Sequence, residues 1–131
     1  MKNTGIWLDK EKAFIVTLEN NKENFVVIES NIENYKITAN RSIGGANEIA
    51  KDSKYLEREK HQFKSYFKEI VSEIKNIDAL IIFGPAETYR KFKKELEEHY
   101  KNINDKVRLV QKADSMTKNQ IIAQVKDSFK P

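Results

Sequence analysis

Cysteine is absent from the 131 residues, which removes disulfides, thiolate metal ligands and thiol nucleophiles together. No apolar run approaches the ~20 residues that span a bilayer, and the opening MKNTGIWLDKEK lacks the apolar stretch of a secretory signal. A cytoplasmic protein with no membrane partner is the expectation. Internal repeats, linker-like stretches and low-complexity tails are missing too. Glycine is scarce, and two of the four stand side by side as Gly44-Gly45. Residues without a Cβ permit backbone angles and close approaches that others do not, so the pair predicts a mobile loop.

At this length the chain forms one domain with one moderate core. Lys and Arg number 24 against 20 Asp and Glu, a net charge of +4, which permits a polyanionic partner without demanding one. Its placement says more. Between Lys36 and Lys68 the eight residues Lys36, Arg41, Lys51, Lys54, Arg58, Lys60, Lys64 and Lys68 face four acidic ones, so this quarter carries the whole excess. A solvated helix face laced with local ion pairs gives the same composition, and both readings stay open at this point.

Two apolar runs, Gly5 to Leu8 and Ala13 to Leu18, flank the polar Asp9-Lys10-Glu11-Lys12. Branched and aromatic residues around a short polar turn are a hairpin signal. The cluster Asn20 to Asn24 punctuates a second turn, and Phe25 to Ile32 supplies a third strand. From about Asn47 the period changes: Leu56, Phe63, Phe67, Ile70, Val71 and Ile74 line one face of a helix. Ile77 to Phe83 suits a strand buried on both faces. Pro85 fits the first position of a following helix marked by Tyr89, Phe92, Leu96 and Tyr100. Lys106 to Val110 reads as a fifth strand. Thr117-Lys118-Asn119-Gln120 matches a capping box ahead of a helix with Ile121, Ile122, Val125 and Phe129 inward. The order β-β-β-α-β-α-β-α is that of an α/β ribonuclease-H-like fold, a mixed sheet flanked by helices.

Such a fold raises the question of nuclease chemistry, which needs carboxylates converging to hold two cations about 4 Å apart. Asp9, Asp78 and Asp114 lie near strand ends, but their spacing does not bring them together, and they read as turn and cap residues. His61 and His99 lack a second ligand at metal-binding spacing. No metal and no cofactor is expected. Gly84-Pro85-Ala86-Glu87 places a tight turn before a helix N-terminus, where free N–H groups can hold an anion. Glu87 already offers that dipole a negative charge, which favours a structural turn.

In its motifs the chain resembles the middle domain of archaeal and eukaryotic class-1 peptide chain release factors and of Pelota, together with their small bacterial relatives, the translational machinery proteins. The resemblance rests on Arg41-Ser42-Ile43-Gly44-Gly45-Ala46, on the charged run Leu56 to His61, on Leu80 to Glu87 and on Ala113 to Ile121. It covers nearly the whole chain. It implies one domain over 1–131 with a flexible basic loop at about 40–52, acting as a ribosome- or tRNA-associated RNA-binding domain in ribosome rescue, hibernation or stress. Ribosomal RNA or tRNA is the implied partner, with Arg41, Lys51, Lys54, Arg58 and Lys64 on phosphates.

The family loop carries Gly-Gly-Gln, and its glutamine positions the water that attacks the peptidyl-tRNA ester. Here Ala46 stands in that place. Its backbone N–H can stabilise an oxyanion, but it has no amide side chain, so Gly44, Gly45 and Ala46 remain loop candidates for catalysis and enzymatic activity is not expected. The chain also lacks the codon-reading and partner-recruiting domains, so termination as release factors perform it is not expected either. Two other readings are weak peptidyl-tRNA hydrolysis by the loop backbone and a protein-interaction or small-ligand module at the Gly84-Pro85 turn.

Overall fold

The computed structural model describes residues 1–32 and 45–130, with side chains throughout except in 45–53. Three strands come first: β1 (Lys2–Leu8), β2 (Lys12–Glu19) and β3 (Lys22–Glu29). Helix α1 (Gly45–Glu73), strand β4 (Ala79–Gly84) and helix α2 (Thr88–His99) follow. A short helical turn α3 (Lys101–Asn104), strand β5 (Val107–Lys112) and helix α4 (Lys118–Ser128) complete the order. The strands form one sheet in the order β3-β2-β1-β4-β5. Within it β1, β2 and β3 run antiparallel, whereas β4 lies parallel to both β1 and β5. This is the ribonuclease-H-like mixed α/β sheet expected from the sequence.

The turns follow from local chemistry. Asp9 Oδ1 accepts from the N–H groups of Glu11 and Lys12 at 2.8 and 2.9 Å, so the carboxylate closes the first hairpin. The second turns on Asn20 and Asn21, with φ of 53° and 64°. Two successive left-handed residues make the hairpin turn that matches strand twist, and Asn tolerates it. Asn31, at φ 58°, falls outside β3, which ends at Glu29 rather than running to Ile32.

Strand side chains alternate between two faces, and both faces are covered. Ile6, Leu8, Ile15, Leu80 and Ile82 share a core with α1 and α2, whose Phe67, Ile70, Phe92 and Leu96 are all buried. Trp7, Val16, Ile81 and Phe83 pack under Ile121 and Val125 of α4. Helix α4 begins at the expected capping box: Thr117 Oγ1 accepts from Gln120 N at 3.2 Å, and the Gln120 amide oxygen accepts from Thr117 N at 2.9 Å. A Cβ on Gly5 would collide with Val125, so the missing side chain lets α4 sit directly on β1.

Two expectations are corrected. Leu56 is 60% exposed, while its neighbour Tyr55 is 4% exposed. The buried stripe of α1 turns onto Tyr55 here, leaving Leu56 in an open groove toward α2. Helix α2 starts at Thr88 rather than Pro85, after Glu87 as a cap without a side-chain bond. Strand β4 keeps bonding through Gly84, whose carbonyl accepts from Ala113 N at 2.7 Å, so Pro85 to Glu87 are spent on the bend.

Candidate nucleic-acid interface

Helix α1 turns one face to the core through Tyr55, Phe63, Tyr66, Phe67, Ile70 and Ile74, and Lys54, Arg58, Lys60, Lys64 and Lys68 project on the exposed side. Lys54 and Arg58 lie one turn apart on one strip, and Lys60 and Lys64 on another, with Glu57 and His61 on the strip between them. Of the residues singled out from the sequence, Arg41 and Gly44 lie outside the described residues, as do the side chains of Ala46 and Lys51. Gly45 and Ala46 open the helical backbone. The stretch expected as loop at about 40–52 is thus helical in its described part, from Gly45 on.

The β1–β2 turn holds the helix in place. Lys10 Nζ donates to Glu59 Oε2 at 2.9 Å and to Tyr55 Oη at 3.2 Å, and the Tyr55 hydroxyl donates to the same carboxylate at 2.6 Å. Two turns beyond Glu59, Tyr66 Oη donates to the Asp9 carbonyl at 3.0 Å. Burial opposes the charge on Lys10, but the bonds to Glu59 and Tyr55 outweigh it and its pKa rises above the usual lysine value. Burial likewise opposes the Glu59 carboxylate, and the same bonds win, lowering its pKa. The Tyr66 hydroxyl is pushed up, first by burial and then by the Asp9 charge. It therefore stays a donor.

Between α1 and α2 runs a groove of about 490 Å³ lined by Leu56, Phe63 and Phe67, by Lys60, Lys64, Lys91 and Lys94, and by the acidic Glu59, Glu95 and Glu98. Lys91 Nζ sits 4.6 Å from the Phe63 ring centroid, a cation–π contact that holds it over the groove. The cationic surface of α1 thus continues onto α2. Sequence reasoning missed Lys91 and Lys94 because the charge count stopped at Lys68; the run Arg90-Lys91-Phe92-Lys93-Lys94 was the available signal. At the far end of the groove Glu95, Glu98 and His99 bring ligand atoms within 4.8 Å of one another, as i, i+3 and i+4 on one helix allow. The sequence reading credited His99 with no such neighbours.

Of the three aspartates considered for nuclease chemistry, two have carboxylates in structural work instead, and the third contributes through its backbone. Asp9 closes its turn, Asp78 Oδ2 accepts from Lys2 N at 2.6 Å, and the Asp114 carbonyl accepts from Trp7 Nε1 at 3.1 Å. Among the described residues they form no metal-holding group. At the Gly84-Pro85 turn a Cβ on Gly84 would run into the Leu8 carbonyl and crowd Tyr89, so glycine there serves close packing.

No known sequence family and no curated protein matches the chain. Solved structures do. Pelota from Archaeoglobus fulgidus superposes with a TM-score of 0.61 at 13% identity, over 98% of this chain and 31% of that one. The archaeal translation termination factor aRF1 gives 0.58 at 13%, over 95% and 33%. Pelota from Thermoplasma acidophilum gives 0.58 at 17%, over 95% and 31%. The chain spans about a third of the length of each. At these identities the likeness is one of fold, and the fold is the one found in Pelota and release-factor proteins.

Proposed function

We propose that this chain works in translation, binding ribosomal RNA or tRNA through the cationic surface of α1 and α2, without the ester hydrolysis that a complete Gly-Gly-Gln loop performs. The observation that carries the reading is the shape shared over 95–98% of the chain with Pelota and a termination factor. Charge placement supports it. Lys54, Arg58, Lys60 and Lys64 stand along α1, with Lys91 and Lys94 beside them, a spread suited to successive phosphates. In the sequence Arg41 and Lys51 flank Gly44, Gly45 and Ala46, the segment that under this reading would enter an RNA pocket. Ala46 supplies no amide to orient water, so the role is occupancy of a ribosomal site during rescue, hibernation or stress rather than peptide release.

Binding by phosphate neutralisation releases counterions and weakens steeply with salt, by about 10³-fold or more between roughly 50 and 200 mM when six or more phosphates are engaged. Co-sedimentation with ribosomes across that range is the test. Association is expected at low salt and lost at high salt, and the triple variant Lys54→Glu, Arg58→Glu, Lys64→Glu should stay in the supernatant throughout. Failure of the wild type to pellet at the lowest salt refutes the reading.

A further inference from the structure

Among the described residues strand β5 ends the sheet, bonded to β4 alone. Every residue from Arg108 to Lys112 is exposed. Leu109 and Val110 are 40% and 37% exposed, unusual for large apolar side chains in this molecule. They lie on opposite faces: Leu109 stands in register with Ile81 and Val110 with Ile82, and those partners belong to the two separate cores. The register shift falls between Leu80 and Ile81, so pairing is regular from Leu109 to Lys112. The charges are of one sign, Lys106, Arg108 and Lys112, with no acidic residue between Asp105 and Asp114. The opposite edge also exposes an apolar residue, Val27 at 47%, but differs in charge. Strand β3 carries Lys22, Glu23 and Glu29, and Glu23 is paired with Lys126 of α4 at 2.5 Å.

An edge strand presents a row of unpaired N–H and C=O groups, and lysines along it deter pairing with a second copy of itself. Two β5 strands side by side would set Arg108 and Lys112 of one against those of the other, with no acidic residue between them. We propose that β5 is a docking edge for an extended acidic segment of a partner protein, which adds to the sheet as a sixth strand. Main-chain hydrogen bonds supply the affinity in such augmentation, and alternate side chains the specificity. Carboxylates of the segment meet Arg108 and Lys112 on one face of the sheet, and its small apolar side chains cover Leu109 on the other. Nucleic acid would satisfy the cations but would leave the ladder groups and Leu109 uncovered, which favours a polypeptide.

A fluorescent peptide of about ten residues alternating Glu with Val, a length that matches one strand, serves as the probe, with a Lys/Val peptide as control. Anisotropy titration should show saturable binding of the acidic peptide alone, and amide exchange should slow in residues 107–112. Joint reversal by Arg108→Glu and Lys112→Glu should weaken binding about tenfold or more. Lys22→Glu on the far edge should leave it unchanged. All three side chains are exposed, and circular dichroism checks that each variant is folded. Slowed exchange on α1 or nowhere, equal binding of the Lys peptide, self-association through β5, or displacement of the peptide from β5 by a short single-stranded RNA would each overturn the proposal.

Discussion

Lys10, Tyr55 and Glu59 meet in a three-way hydrogen-bonded cluster that joins the β1–β2 turn to α1. Side-chain exposure of 40% at Lys10 and 19% at Glu59 keeps its worth modest. Replacing Glu59 by Gln should cost about 1 kcal/mol, the usual scale of one such bond. The pH dependence has two limbs. Glu59 has a lowered pKa, so its contribution is complete above the ordinary carboxylate value of 4.5 and disappears as pH falls through the folded-state value. Lys10 has a raised pKa, so its contribution is complete below the ordinary lysine value of 10.5 and is lost as pH rises through the folded-state value. Thermal melts of wild type and Glu59→Gln should therefore differ most between those limits and converge as acid protonates the folded-state carboxylate; a difference that never narrows below the ordinary carboxylate value of 4.5 would dismiss the cluster as a stabiliser. Little of this was legible beforehand. Tyr55 and Tyr66 were hidden because tyrosine alternates between inside and outside, and only the turn placing Asp9 and Lys10 against the helix decides which it is.

At the scale of elements, Gly5 and Val125 define how α4 seats on the sheet. A Gly5→Ala substitution should destabilise by about 1–3 kcal/mol through overpacking. In a Val125→Ala background the added methyl finds room, and the pair should cost less than the two single changes combined, by about 1 kcal/mol. Additive costs in denaturant melts would mean that α4 is not held against β1. The elements themselves were largely readable. The apolar runs Ala13 to Leu18 and Ile77 to Phe83 and the Thr117–Gln120 box each named their element, because composition and capping are local properties. Leu56 and Pro85 misled for the converse reason. Whether Leu56 meets a neighbour depends on how α2 is placed, and whether Pro85 opens a helix depends on how far β4 keeps its ladder.

For the whole molecule, the mixed sheet was legible from element order, whereas the cationic surface was legible only in part, since α1 and α2 are brought side by side by the core and not by sequence. Ala46 has no side-chain amide, and under the proposed function that decides the chemistry. Wild-type protein should release no peptide from ribosome-bound peptidyl-tRNA, and an Ala46→Gln variant should gain release if the rest of the tip suffices; ester cleavage by the wild type would reverse the non-catalytic reading. One feature of the sheet also bears on how the chain finds its shape. Strand β1 bonds on one side to β2, its immediate successor, and on the other to β4, with Lys2 N and Asp78 joined across 76 positions. Short-range pairing closes small loops and forms early, while distant parallel pairing must first meet a larger loop entropy. The meander should gain exchange protection first on refolding, and the union of β1 with β4 should set the overall rate.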